Sequence, residues 1–133
     1  MNTEDIARVA HDAAAAIDQA TGSPSAYWST ASNDDKWVSI KKTHFYLDTY
    51  AGPAAAHTDW MRRLLAEGWN HGFVYSEANR THPNLVPFNM LNIVQQAKEW
   101  AFSAIVGSLR SQVADRASRA GAGSVEPASR NQA

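Results

Sequence analysis

The chain has 133 residues, 44% of them apolar, enough to bury one domain's core without covalent staples. It contains no cysteine, which excludes disulfides, a Cys-ligated zinc and a thiol nucleophile. Twelve Lys and Arg against thirteen Asp and Glu leave a formal net charge of -1, so no single-signed field draws the chain onto bulk DNA or RNA.

Glu4 and Asp5 are acidic where a secretion signal is basic, and no apolar run reaches the length of a bilayer span; a cytoplasmic protein without a membrane segment is expected. Thr3, Glu4 and Asp5 read as a helix start, a side-chain oxygen for free amides followed by acid at the positive end of the dipole. Ile6, Val9, Ala10, Ala13, Ile17 and Ala20 then mark one face, and Gly22 with Pro24 ends the helix. That face is rich in small residues, so a neighbouring helix can approach closely. His11 beside it reads as a hydrogen-bonded boundary residue. Residues 22–33 read as a loop with Tyr27-Trp28 as its hydrophobic plug. Asn33 or Asp34 can cap a second helix running to Ala51, with Trp37, Ile40, His44 and Leu47 inward and Lys41, Lys42 and Asp48 outward. Gly52-Pro53 closes that helix and opens a third.

In the third helix His57, Trp60, Met61, Leu64 and Leu65 recur at helical spacing, and Gly68 offers a left-handed exit. Phe73-Val74-Tyr75 and Leu85-Val86, the latter bracketed by Pro83 and Pro87, are the strand-favouring runs. They predict a small two-stranded β-ribbon joined through the polar turn residues Ser76, Asn79 and Thr81. Asn89 can cap a long last helix striped by Met90, Val94, Ala97, Ala101, Ile105 and Leu109 and flanked by Ile93 and Trp100. From residue 116 the composition predicts a disordered or frayed tail. The expected fold is mainly α, about four helices with one small β-ribbon. Residues 1–52 form an N-terminal helical extension packed on a core of 53–115.

Chemistry is sparse. No His pair has the i, i+4 spacing of a zinc enzyme, no Gly-x-Ser-x-Gly elbow occurs, and no Gly-rich phosphate loop precedes a helix. No catalytic residue, metal ligand or cofactor is assigned. What remains is an aromatic and polar set: Trp60, Trp69, Tyr75, Arg80 and His82, with His57 nearby. Trp and Tyr faces stack flat heterocycles while Arg and His reach phosphate, a combination suited to a small nucleotide. For Trp69 and His82 a second role is open, locking the ribbon onto the helix.

The order of residue types from 53 to 109 resembles the RyR domain, the repeat named from ryanodine receptors and also found as small free-standing bacterial and phage proteins. The resemblance rests on His57, Trp60, Gly68-Trp69, Gly72, His82-Pro83, Leu85-Val86-Pro87-Phe88 and Leu91, and more loosely on Ile6-Ala7-Arg8-Val9-Ala10-His11. The chain departs from the family pattern at His71, where an aromatic usually precedes Gly, at Asn84, where Cys is common, and after Leu91, where Pro is usual. The resemblance implies a non-catalytic binder of an adenine-containing nucleotide or nucleotide-derived signal, in bacteria a player in phage and host conflict. The helical Trp, here Trp60, is associated in the channel repeats with a nucleotide pocket. Those repeats come in pairs, so a lone copy implies an intramolecular pocket or a homodimer, with Ile93, Trp100 and Val106 of the last helix as the candidate surface. The alternative is a protein-interaction or assembly module, a phage accessory or virion component, anchored by exposed Trp and Tyr.

Overall fold

The computed structural model describes residues 1–120. It is mainly α, with four helices: α1 (Thr3–Ala20), α2 (Asn33–Thr49), α3 (Pro53–Ala66) and α4 (Ile93–Ala120). The tail expected from residue 116 therefore begins inside α4, and its part from 121 to 133 lies outside the described residues.

Three of the four helix starts fall beside the residue expected. α1 is capped by Asn2, whose side chain accepts from the Asp5 amide while Asp5 accepts from the Asn2 amide, both at 2.9 Å, so Thr3 is already helical. Ser32 caps α2, and Asn92 caps α4 by accepting from the Gln95 amide at 2.9 Å. Residues 88–90, expected to start the last helix, instead form a 3₁₀ turn (Phe88–Met90), with Pro87 preceding it. Gly52 and Pro53 sit at the N-cap and first turn of α3 as expected.

The core is a layer of α1, α2 and α4. Ile6, Ala10, Tyr46, Phe102 and Val106 form its buried centre, which Ala56 of α3 joins, with Ile105 and Leu109 packed against it. Val106, expected to face water, has no exposed surface; Phe102 and Val106 set α4's inward face a fraction of a turn away from the expected stripe. α2 also departs from the expected face. Its buried residues are Ser39, Thr43 and Tyr46, while Trp37, Ile40, His44 and Leu47 are half-buried. Polar residues fit there because their hydroxyls are satisfied: Thr43 Oγ1 donates to the Ser39 carbonyl at 2.8 Å, and Ser39 Oγ meets His11 Nδ1 at 2.9 Å. Ala7 and Ala10 of α1 are fully buried, Ala10 within the cluster that holds Tyr46, Phe102 and Val106.

Trp28 is buried as the loop's plug, packed edge-on against His11 with ring centroids 5.6 Å apart; its amide donates to Asp12 Oδ1 at 2.7 Å. Tyr27 stays exposed. Lys98–Asp18 at 2.8 Å and Lys42–Glu99 at 2.9 Å tie α4 to α1 and α2. Lys42, expected outward, thus points between helices.

The sheet is the largest correction. Two strands of two residues pair in parallel, β1 (Asn70–His71) with β2 (Thr81–His82), in the register Asn70 to Thr81 and His71 to His82. Residues 73–75 and 85–86 form no strand; Phe73, Val74 and Tyr75 are exposed. Gly72 fixes the pairing, since a Cβ there would lie 2.7 Å from Thr81 Cβ. The intervening loop closes through Ser76 and Thr81, which exchange amide-to-carbonyl bonds of 3.0 Å.

Candidate ligand-binding site

The end of α3 determines where the aromatic segment begins. Gly68 takes φ +91°, the Gly68 amide donates to the Leu65 carbonyl at 3.1 Å and the Trp69 amide to the Leu64 carbonyl at 3.0 Å, the pair of bonds of a Schellman cap. The cap throws Trp69 back across the helix end. Arg80, itself at φ +56°, donates from Nη1 to the Glu67 carbonyl, the next free acceptor of the same terminus.

The rings then form one connected cluster. His57 stacks on Trp60 one turn further along α3 (5.3 Å, 28°), and Trp60 meets His82 edge to face (5.0 Å, 82°). His82 in turn lies edge-on to Tyr75 (5.4 Å) and 6.4 Å from Trp69, while Trp69 and Tyr75 stack at 5.8 Å and 28°. His82 is thus the hub, touching three of the other rings. His57 is buried, and its Nε2 donates to the Val86 carbonyl at 2.7 Å, while Phe88 packs edge-on to it at 6.1 Å. His57 therefore staples the 85–88 segment to α3 and does not face solvent.

His82 Nδ1 accepts the Asn84 amide proton at 3.1 Å, so the neutral ring carries its proton on Nε2. Burial, and after it the charge of nearby His57, lowers the His82 pKa below the ordinary imidazole value. A neutral imidazole among indole and phenol rings can donate one hydrogen bond without bringing a charge.

Of the expected site residues, Trp60, Trp69, Tyr75, His82 and His57 come together. Arg80 is exposed at the edge, with one donor on Glu67 and no carboxylate partner among the described residues. Trp60 is flanked by His57 and His82, so the accessible aromatic surface is that of Tyr75, 56% exposed, and half-buried Trp69. Phe88 and Asn84 belong to the site's support and escaped the sequence reading as site residues. Phe88's signal was its place after Val86-Pro87; the Asn84 contact is made by its backbone and leaves no mark on residue type.

Fold and cluster together define a small helical domain with an aromatic segment set between its last two long helices. The chain belongs to the RyR domain family, whose model matches residues 31–114. The match takes in α2, α3, the aromatic segment and α4 as far as residue 114. No curated protein and no solved structure was found to match. Among the described residues no helix is long and apolar enough to cross a membrane.

Proposed function

We propose that this is a non-catalytic, cytoplasmic binding protein for a small planar ligand, an adenine-containing nucleotide or nucleotide-derived signal. The observation that carries the reading is the Trp69–Tyr75 stack, open to solvent on the Tyr75 side and backed by neutral His82 and by Trp60. A base stacks on that pair, Trp60 forms the wall behind it, and His82 Nε2 supplies a donor. Arg80, the exposed cation at the cluster's edge, reaches a phosphate. Aromatic stacking of this kind contributes about 1–3 kcal/mol per base.

Isothermal calorimetry against adenine nucleotides and cyclic dinucleotides tests the reading. Tyr75→Ala, at an exposed position, should leave the fold intact and weaken binding by roughly 5- to 150-fold, the same stacking energy expressed as affinity. No heat across the panel, or affinity that Tyr75→Ala and Trp60→Ala leave unchanged, removes it.

One observation favours a second reading, a protein-interaction module. Phe73 at 91% and Val74 at 74% exposure stand beside Tyr75 as consecutive apolar side chains that nothing covers among the described residues. If the nucleotide panel is silent and Phe73→Ser raises solubility without altering the fold, that reading replaces the first.

A further inference from the structure

α4 presents two opposite faces of different character. Inward lie Phe102 and Val106, together with every charged side chain from Ile93 to Val113. Lys98 pairs with Asp18 and Glu99 with Lys42, while Arg110 donates to the Tyr46 and Leu47 carbonyls at 2.6 and 2.7 Å. Outward lie Ile93, Ala97, Trp100, Ala104, Gly107 and Ser111, all exposed. They recur at alternating steps of four and three, the spacing of a coiled-coil seam.

A helix face that meets only water is ordinarily lined with Lys, Glu and Arg. Between Ile93 and Ser111 this one has none; Ile93 is 76% and Trp100 59% exposed. Gly107 is a second anomaly. It is the least favourable ordinary residue for a helix interior, yet a Cβ there would meet nothing within 4 Å, so no contact among the described residues requires its absence. An approaching helix would.

We propose that the outward face of α4 is a self-association surface, covered by the same helix of a second copy running antiparallel. The seam is complementary to itself. In one antiparallel register Trp100 faces the partner's Ala104, Ile93 faces the partner's Ser111, and Ala97 faces the partner's Gly107. Each large side chain meets a small one, and the closest approach falls on Ala and Gly. Because the pairing is the same read from either copy, a two-fold axis closes it at two chains. A parallel pair would set Trp100 on Trp100 and Ile93 on Ile93, holding the axes apart where the small residues have nothing to reach. The absence of charge along the seam removes the like-charge repulsion that self-pairing of a charged face would meet. No residue of the aromatic cluster takes part.

Sedimentation velocity on the full chain, from micromolar to millimolar concentration, reads the result. The surface is expected to give a reversible species at twice the 14.5 kDa of one chain. Ala104→Glu should be monomeric throughout with an unchanged far-UV spectrum; Trp100→Arg serves as a second variant if the first folds poorly. The register is read by Trp100→Cys combined with Ala104→Cys, which in this cysteine-free chain should oxidise to a covalent dimer. A monomer at every concentration overturns the proposal, whether or not α4 then captures a helical segment of another protein. So does a dimer that a folded Ala104→Glu leaves intact.

Discussion

Tyr46 and Phe102 lie 6.2 Å apart, ring to ring, enclosed by Ile6, Ala10 and Val106; Trp69 and Tyr75 lie 5.8 Å apart, and more than half of Tyr75 is open to solvent. The first pair belongs to the layer of α1, α2 and α4, where apolar burial and ion pairs between helices act over many residues. The second belongs to the segment between α3 and α4, held by a helix cap, two strands of two residues and the contacts of His57 and His82. A region with so few buried contacts opens at lower free energy than the core, and binding surfaces are drawn from such regions. Stability therefore resides in the helical layer, and the ligand reading belongs to the segment it supports.

The largest expected effect falls on the core. Phe102→Ala removes a ring that is 2% exposed and should cost about 3–5 kcal/mol, lowering the melting transition of the whole domain. If the aromatic segment kept its near-UV signal while the helices melted, the dependence of one region on the other would be wrong. Next comes Gly72→Ala, which drives a Cβ into Thr81 and should cost about 1–3 kcal/mol. Its signature sharpens the comparison: the near-UV signal of Trp69 and Tyr75 should change while the far-UV helical signal persists.

The smallest effect is a pH dependence. His82 binds its proton less tightly folded than unfolded, so as pH falls through the ordinary value of 6.5 the unfolded chain takes up the proton first. Stability from this group is complete above that pH and declines below it, until the folded chain protonates too and the Asn84 amide loses its acceptor. Melting temperature should therefore fall between neutral pH and the onset of carboxylate titration, and fall less in His82→Gln. An increase in that window would contradict the assignment of a neutral, half-buried His82.

Helices were legible because their signals are local. Gly52-Pro53 and Gly68 mark their boundaries in sequence and in space, and Ile6 and Ala10 are buried on the face that periodicity indicates, although Val9 and Ala20 of that face are exposed. Helix starts slipped by one or a few residues because Asn2, Ser32 and Asn92 compete for each cap with equally suitable neighbours. The α2 face was hidden because Ser39 and Thr43 are polar residues made compatible with burial only by partners elsewhere. The sheet was misread because Phe73-Val74-Tyr75 has strand propensity without a surface to pack on, whereas Asn70-His71 has little propensity but a partner that Gly72 lets approach. Of the site, the ring types were visible, and their convergence on His82 was not, since it depends on Arg80 adopting a left-handed conformation that nothing in its residue type announces.

The central claim, that ligand engages the aromatic segment and leaves the helical layer unchanged, is tested most directly by the indole N–H resonances of the five Trp residues. Titration with adenine nucleotides should shift Trp69 and Trp60 and leave Trp28 and Trp37, which lie on the loop and helix of the other region, in place. Trp100 should respond to protein concentration and not to ligand. Shifts confined to Trp28, Trp37 or Trp100, or no shift at millimolar nucleotide, would contradict the account.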